Sequence, residues 1–333
     1  MELVGGIVEQ YADFARYARG DSPCFEAWAA GVVADPDVQA WIGSLPHAKQ
    51  QPNLVFAAAR RHGVPAPGPY AGLRSALLGD GGAIRATILA RATQTNEVGR
   101  LATLVPVLAE LSARAGGAPL ALLEVGASAG LCLYPDRHDY VWQTATGPVT
   151  ARGEAVVGEP LTCEVTGPAP LPSRPPRVAW RGGIDLRPLD VRDEDAMAWL
   201  TTLVWPEHDD RRRRLRDAIA GARAEPPDLV AGDLLDELPA MVERAVGHGP
   251  VVVFHSAVLA YLTPADRERF TTLVAGLVAG GRCHWVSNEG KGVLPAVTAT
   301  GPPPPEELPT FVLGVDGRAV AWTHGHGRTL TWL

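Results

Sequence analysis

The sequence predicts an α/β protein, in which a helical region precedes a mostly parallel sheet that ends in an antiparallel hairpin. Three observations lead to this prediction. From Leu120 onward, apolar strand-like runs alternate with helical patterns, and some runs are apolar at nearly every position, as in strands buried on both faces. An Asp316-Gly317 pair between two β-type segments predicts the hairpin. Before residue 117, the patterns are helical and are separated by glycine and proline.

Residues 1–117 are expected to form a helical domain. The longest of its helical segments carries one apolar face, and Thr95 or Asn96 just before it is expected to cap its free amides. The Gly- and Pro-rich segments 63–72 and 79–82 are expected to be turns. The predicted helices are Glu9–Arg19, Ser22–Val33, Asp35–Ile42, Leu54–His62, Ile84–Leu89 and Glu97–Arg114.

Residues 118–333 are expected to form a second domain around five parallel strands, because strands alternate there with helical segments. The predicted strands are Leu120–Val125, Val178–Ile184, Leu229–Ala231, Val251–His255 and Cys283–Ser287. The predicted helices are Asp193–Leu203, Asp209–Ala222, Asp236–Val246 and Pro264–Ala279. The hairpin pairs Thr310–Val315 with Arg318–Thr323, and a further strand is expected after Gly327.

No full helix is predicted between the first and second strands. Three short β-type runs, Tyr140–Trp142, Val156–Val157 and Leu161–Val165, instead predict a β-rich insertion at about 139–177 that ends in a Pro-rich segment. We expect this insertion either to cover a ligand pocket or to form a contact surface. Asp136, just before it, is expected to be a surface charge.

Composition excludes several classes of protein. The chain has 333 residues and a net charge of -7, which argues against a nucleic-acid partner. Its four cysteines are scattered, so neither a zinc site nor a disulfide framework is predicted. No apolar run is long enough to cross a membrane, and the N-terminus lacks the pattern of a secretory signal. A cytoplasmic location is therefore expected.

The most informative segment follows the first predicted strand. That strand ends on Glu124, and small residues with glycine at 126 and 130 come next. Glycine allows a sharp turn and lets a ligand approach the main chain closely. Ser128 stands between the two glycines and is expected to keep an ordinary backbone conformation. Such a turn also occurs where small residues are needed only for packing.

The later predicted strands end on polar side chains as well. Because ligands of open α/β sheets bind outside the carboxyl ends of the strands, these side chains are expected to meet at one crevice. Asp185 suits the hydroxyls of a ribose, and Asp233 suits the amine of an adenine, so the pattern favours a nucleoside ligand. In the alternative interpretation, both aspartates cap helices and His255 bonds to a nearby carbonyl. Glu124 then accepts either backbone amides or the ligand's amino group.

These features resemble two known groups of proteins. A parallel sheet finished by an antiparallel hairpin resembles the Rossmann-like fold of class I S-adenosylmethionine-dependent methyltransferases. The chain also resembles, over nearly its whole length, an uncharacterised bacterial family catalogued as domain of unknown function 2332. The runs that carry this second resemblance are Ala92–Arg100, Leu123–Leu133, Gly183–Asp190, Val204–Glu207 and Phe254–Leu262. The family brings no established reaction with it, and its link to methyltransferases is an analogy of fold.

The resemblance implies a methyltransferase that uses S-adenosylmethionine and a small-molecule acceptor. His255 is then the preferred base, because its ordinary pKa lies near neutrality, and Tyr261 and Asn288 orient the acceptor. The expected cofactor-binding residues are Glu124, Gly126, Ser128, Gly130, Asp185, Asp233 and Ser256. The expected substrate-pocket residues are Thr93, Gln94, Thr95, Asn96, Glu97, Arg100 and Glu289.

Two other functions remain open at this point. The first is an enzyme on the same fold that performs an elimination or a cyclisation, and the second is a non-catalytic binding or scaffold protein. No metal site is predicted, because His324 and His326 alternate on one side of a strand without an evident third ligand. The sequence does not predict the oligomeric state.

Overall fold

The structure is a computed structural model that describes residues 6–94, 96–154, 156–306 and 310–333. The chain divides into two compact units, the first formed by residues 1–95 and 194–212 and the second by residues 96–193 and 213–333. The predicted boundary at 117 follows the helix Leu101–Arg114, whereas the observed division precedes it. This helix belongs to the second unit because it packs on strands of that unit.

The helices are numbered in chain order. Those of the first unit are α1 (Ile7–Ala18), α2 (Pro23–Val33), α3 (Pro36–Gly43), α4 (Pro52–Arg61), α5 (Tyr70–Leu78), α6 (Ala83–Ala90) and α8 (Glu194–Leu203). The second unit contains α7 (Leu101–Arg114), α10 (Leu234–Val246), α11 (Pro264–Ala279) and α12 (Pro295–Thr298). Helix α9 (Asp209–Ala224) begins in the first unit and ends in the second.

Aromatic packing forms the core of the first unit. Trp205, between α8 and α9, contacts Phe14 and Phe25, and Phe25 in turn contacts Trp28 and Phe56. Helices α2, α3 and α4 each begin with proline, which suits the first helical position because its missing N–H has no partner there. Residues 70–72 were expected to belong to the turn at 63–72, but they form the first turn of helix α5.

The second unit is built on one sheet that has eleven strands among the described residues. The strands are β1 (Leu120–Val125), β2 (Tyr140–Thr144), β3 (Gly147–Ala151), β4 (Leu161–Thr166), β5 (Val178–Asp185), β6 (Asp228–Ala231), β7 (Val251–Ser256), β8 (His284–Gly290), β9 (Thr310–Val315), β10 (Arg318–His324) and β11 (Thr329–Trp332). Their order is β3-β2-β4-β11-β10-β9-β8-β7-β1-β5-β6. Most pairs are parallel, and the C-terminal strands are antiparallel, which confirms the predicted α/β class.

The order of the parallel strands creates a switch point between β1 and β7. Strands β6-β5-β1-β7-β8 have the relative order 3-2-1-4-5, which is that of a doubly wound nucleotide-binding sheet. From β1 the chain proceeds to β5 on one side, and later strands are added beyond β7 on the other side. In such sheets the ligand crevice lies at the carboxyl ends of the two strands that flank this point.

The β-rich insertion extends this sheet. Strands β2 and β3 form a hairpin, and β4 joins that hairpin to β11, so the inserted strands continue the sheet past the C-terminal hairpin. Its second predicted run, Val156–Val157, is not a strand, and β3 at Gly147–Ala151 was not predicted. The insertion is therefore part of the same sheet as the parallel strands.

Asp136 is a buried ion-pair partner, contrary to the expected surface charge. It is 6% exposed, and its two carboxylate oxygens accept hydrogen bonds from Nη1 and Nη2 of Arg181 at 2.9 and 2.7 Å. Arg181 also lies over the ring of Tyr134, 4.6 Å from its centroid. Two-pronged pairing of this kind compensates for much of the cost of removing both charges from water.

Candidate functional site

The glycine-containing turn after β1 adopts a left-handed backbone at three positions. Gly126, Ser128 and Gly130 have φ of +70°, +52° and +68°. The expectation that Ser128 keeps an ordinary conformation is therefore wrong, and a side chain there carries backbone strain. Two backbone hydrogen bonds hold Ser128, because its N–H donates to Asp185 Oδ2 and its carbonyl accepts from Leu189 N.

Side chains of the protein itself pack closely against the two glycines of this turn. A Cβ atom added to Gly126 would lie 2.5 Å from Cγ2 of Val258, and one added to Gly130 would lie 2.9 Å from Cγ of Pro227. Both positions thus require glycine because of internal packing as well as positive φ. This accounts for the glycines without the close approach of a ligand that the sequence suggested.

Asn96 bonds to the same turn. Its Nδ2 donates to the carbonyl of Ala127 at 3.1 Å, and its Oδ1 accepts from the amides of Ala129 and Leu131 at 3.1 and 3.2 Å. It therefore holds the turn in place, whereas the sequence suggested that it caps α7. A 3₁₀ turn at Val98–Arg100 precedes α7, and Glu97 caps that turn by accepting from Gly99 N.

The rest of the predicted pocket segment is divided between the units. Thr93 and Gln94 belong to the first unit, where the hydroxyl of Thr93 donates to Gln51 Oε1. Thr95 lies outside the described residues. Asn96, Glu97 and Arg100 belong to the second unit.

Sheet register places the polar strand-end residues on two different faces. Residues paired in register point to the same face, and successive residues alternate. Glu124 is in register with Gly183 and Phe254, and Ser256 is in register with Asn288. The face of Glu124 therefore also carries Asp185, Ser256 and Asn288, whereas His255 and Glu289 point to the opposite face.

Glu124 is the least satisfied of these groups. It is 6% exposed, and its buried Oε2 has no hydrogen-bond partner in the described part of the chain. Burial raises the pKa of Glu124 well above its usual range, the Arg100 charge opposes this effect, and the Asp185 charge adds to it. Glu124, Arg100 and Asp185 thus influence one another electrostatically at the switch point.

Asp185 and Asp233 both accept backbone amides. Asp185 is half-buried, and its second oxygen, Oδ1, accepts from Arg187 N at 2.8 Å. Asp233 is exposed and caps α10 by accepting from Leu235 N, also at 2.8 Å. The alternative interpretation as a helix cap is thus seen for Asp233. Asp185 accepts amides of the turn after β1 and of its own loop instead, because the next helix, α8, begins only at Glu194.

His255 is locked inside the protein. It is 0% exposed, and the indole N–H of Trp285 donates to its Nε2 at 3.0 Å. Its Nδ1 must then carry the proton, which it donates to Glu289 Oε1 at 2.7 Å. Both ring nitrogens are bonded to protein groups, so the structure does not present the base that the sequence suggested.

Glu289 anchors the loop after β7. The oxygen that accepts from His255 also accepts from the amides of Val258 and Leu259, at 2.9 and 3.0 Å. Glu289 is 2% exposed, so these bonds form away from water. Since Val258 packs on Gly126, Glu289 positions the side chain that lies against the turn after β1.

Asn288, Ser256 and Tyr261 complete the predicted set. Asn288 is fully buried, with Nδ2 donating to the hydroxyl of Ser256 and Oδ1 accepting from the hydroxyl of Thr323. Tyr261 is 72% exposed. Asn288 therefore serves the internal bonding of the sheet, and only Tyr261 of the predicted acceptor-orienting pair is open to solvent.

Strained backbone conformations occur shortly after the two strands that flank the switch point, β1 and β7. Among the described residues, three that are not glycine have positive φ. Two of them lie within three residues after β1 and β7, namely Ser128 and Ala257 (φ +59°). The third, Asp316, lies in the Asp-Gly hairpin turn, which requires this conformation. Strain of this kind is commonly kept at functional sites. Ala257 was not predicted, because alanine carries no signal of left-handed backbone.

The fold and this edge define an α/β protein with a doubly wound sheet and two carboxylates, Glu124 and Asp185, at the carboxyl ends of neighbouring strands. The family described as "Uncharacterized protein conserved in bacteria (DUF2332)" matches residues 8–332, so the chain belongs to this family. A comparison with curated proteins finds no match. No helix in the described ranges is long and apolar enough to span a membrane. Nor do three or more metal-binding side chains come together anywhere in those ranges.

Proposed function

We propose that the protein is an S-adenosylmethionine-dependent methyltransferase that acts on a small-molecule acceptor. One observation carries the proposal: a buried carboxylate with an unpartnered oxygen, Glu124, stands at the switch point on the same face as Asp185. A carboxylate at the end of each of two adjacent parallel strands suits a ligand with an amino group and ribose hydroxyls.

The residues around these carboxylates fit such a ligand. Asp185 is held in one orientation by the amides of Ser128 and Arg187, which suits it to accept from a ribose. The hydroxyl of Ser128 is buried and has no partner within the described residues, as expected of a group that a ligand would satisfy. The contacts of Gly126 and Gly130 and the hydrogen bonds of Asn96 hold the turn that contains Ser128 in one conformation.

The bound cofactor would supply a methyl group on a sulfonium, and its thioether product leaves without protonation. The chain then needs to hold the acceptor in line with the methyl and to exclude water. Because both ring nitrogens of His255 are occupied, the proposal assigns no general base. Tyr261 is the exposed residue of the predicted set that is suited to contact an acceptor. The four cysteines are free and buried, which supports a reducing compartment such as the cytoplasm.

Calorimetry with S-adenosylmethionine and S-adenosylhomocysteine tests the proposal. We expect both to bind, and Asp185→Asn to weaken both about 10- to 100-fold, because a hydrogen bond to a charged group is lost. Asp266→Asn on α11, where the carboxylate pairs with Arg269, is the matched control and should leave affinity unchanged. Absence of binding by the wild-type protein would overturn the proposal, and equal affinities in wild type and Asp185→Asn would remove the ribose assignment.

A non-catalytic binding protein is the second candidate. The observation that favours it is the engagement of His255 and Asn288, two of the three predicted catalytic groups, in internal hydrogen bonds. Such a protein would bind neither adenosyl ligand, so the same titration separates the two functions.

A further inference from the structure

His138 is a buried histidine that the proposed function does not use. It lies between the 3₁₀ turn Pro135–Arg137 and strand β2, and it is 2% exposed. Neither of its ring nitrogens has a hydrogen-bond partner in the described part of the chain. A neutral imidazole carries one donor and one acceptor, so both groups are buried without a bond. Most buried polar groups in proteins are hydrogen-bonded, which makes this ring an exception.

One segment of the β-rich insertion packs on the main chain around His138. This covering segment consists of residues 153–154 and 156–161. The amides of its residues 154, 157 and 161 donate to the carbonyls of residues 136, 137 and 139, at 2.6, 2.9 and 2.8 Å. A Cβ atom added to Gly153 would lie 2.5 Å from the carbonyl oxygen of His138, so the two stretches of chain are in direct contact. Most residues of the covering segment are exposed to solvent, so it buries little apolar surface.

The charged side chains around His138 are either engaged elsewhere or exposed. Both oxygens of Asp136, in the preceding 3₁₀ turn, accept from Arg181. Oδ1 of Asp139, just before β2, accepts from a main-chain amide of the covering segment. Glu154 of the covering segment is exposed to solvent. Among the described residues, no carboxylate is hydrogen-bonded to the His138 ring, so a positive charge there is costly while the ring stays buried.

Burial controls the charge of the His138 ring. It lowers the pKa of His138 to about 4, and Asp136, Asp139 and the main chain of Val157 offset only part of this effect. The hydroxyl of Tyr140, in β2, donates to a main-chain carbonyl and does not bond to the ring. A histidine in water has an ordinary pKa of 6.5, so exposure of the ring becomes more favourable as pH falls below that value.

We propose that His138 is an acid-sensitive switch, in which protonation of its ring detaches the covering segment from residues 136–139. The neutral ring fits beneath the covering segment, whereas the charged ring is stable only in water. Few bonds have to break, so the segment can open while β1 and β7 stay folded. Opening should become about 10-fold more favourable for each pH unit between 6.5 and about 4. The switch does not depend on the proposed function, because it acts in the insertion.

Hydrogen exchange at a series of pH values tests the switch. The experiment compares wild type with His138→Phe, whose ring is uncharged at every pH, so the pH dependence of the exchange chemistry cancels in the ratio of the two. Above pH 7 this ratio should be constant for the amides of residues 154, 157 and 161. Between pH 6.5 and pH 4.5, wild type should lose protection at these amides by about 10-fold per pH unit relative to the variant. The amides of β7 should keep the same ratio throughout.

His62→Phe is the control, because His62 is exposed and belongs to the first unit. It should leave the wild-type pH profile of the covering segment unchanged. Equal loss of protection in wild type and His138→Phe overturns the switch. Opening of β7 together with the covering segment in wild type also overturns it, because the change is then global unfolding.

An NMR titration of the His138 ring in the wild-type protein needs no variant that folds. We expect the ring to stay neutral in molecules whose covering segment is closed, and its protonation to accompany opening of that segment. A ring that becomes charged near pH 6.5 while the covering segment keeps its protection overturns the switch.

Discussion

Two buried glutamates near the carboxyl edge of the sheet, Glu124 and Glu289, form different numbers of hydrogen bonds. One oxygen of Glu289 accepts from an imidazole and two backbone amides. Its other oxygen, Oε2, is buried and has no partner among the described residues, and the same is true of Oε2 of Glu124, two strands away. Within those residues, however, the side chain of Glu124 forms no hydrogen bond at all. Residue type and position at a strand end are the same in both cases, so the difference comes from the face of the sheet on which each residue lies.

The two faces have different surroundings. The face of Glu289 and His255 packs against the apolar cluster of α10 and α11, where Phe270 contacts the ring of His255. On that face Oε1 of Glu289 bonds to the ring of His255 and to two backbone amides, whereas its buried Oε2 has no partner among the described residues. The face of Glu124 also carries Asp185, and the Arg100 charge acts on Glu124. A strand-end residue therefore joins the candidate site only if its register places it on the same face as Glu124.

The largest expected effect is a difference in protein stability between substitutions of these two glutamates. Glu289→Gln should lower the free energy of unfolding by about 2–4 kcal/mol, because it weakens three buried charge-assisted hydrogen bonds at once. Glu124→Gln is the isosteric counterpart and should leave stability unchanged or raise it, because it removes a buried charge that has no bonded partner. Urea unfolding at neutral pH measures both. Equal losses in the two variants would show that Glu124 is as firmly paired as Glu289.

A second effect appears in the pH dependence of stability. The pKa of Glu124 is raised in the folded protein above its ordinary value of 4.5, so the folded state binds more protons than the unfolded state in the interval between the two. Stability from this group is complete below pH 4.5 and is lost as pH rises through the folded pKa, at about 1.4 kcal/mol for each pKa unit.

Unfolding curves between pH 5 and pH 8 measure this loss. The wild-type protein should lose stability relative to Glu124→Gln as pH rises. Parallel curves for wild type and Glu124→Gln would mean that Glu124 titrates normally.

The sequence predicted most elements of the sheet. Strands β1 and β9 and helix α11 have the predicted bounds, and the other parallel strands differ by one to three residues at their ends. These segments are buried and strongly patterned, so local residue order determines them. The inserted strand β3 was not predicted, because Gly147 and Pro148 at its start resemble turn residues.

The candidate site was predicted only in outline. Glu124 and Asp185 stand at the expected edge, but the roles of His255 and Asn96 depend on contacts across strands and loops. His255 was expected at the same site as Glu124. Its neighbour Phe254 is in register with Glu124, so the side chain of His255 points to the other face of the sheet. The bonds of Asn96 join it to residues more than 30 positions away in the chain. No local pattern encodes such a contact.

The smallest expected effect compares the strained residues that follow β1 and β7. Ser128→Gly and Ala257→Gly should each raise the free energy of unfolding by about 0.5–1 kcal/mol, because glycine adopts positive φ without the clash of a side chain. Only Ser128 carries a buried hydroxyl, so only Ser128→Gly should weaken S-adenosylhomocysteine, by several-fold. Thermal unfolding and calorimetry on the same two proteins check both effects. If both variants gain stability and keep their affinity for S-adenosylhomocysteine, the hydroxyl of Ser128 does not contact the ligand. If both variants lose stability, the backbone at these two residues is not strained.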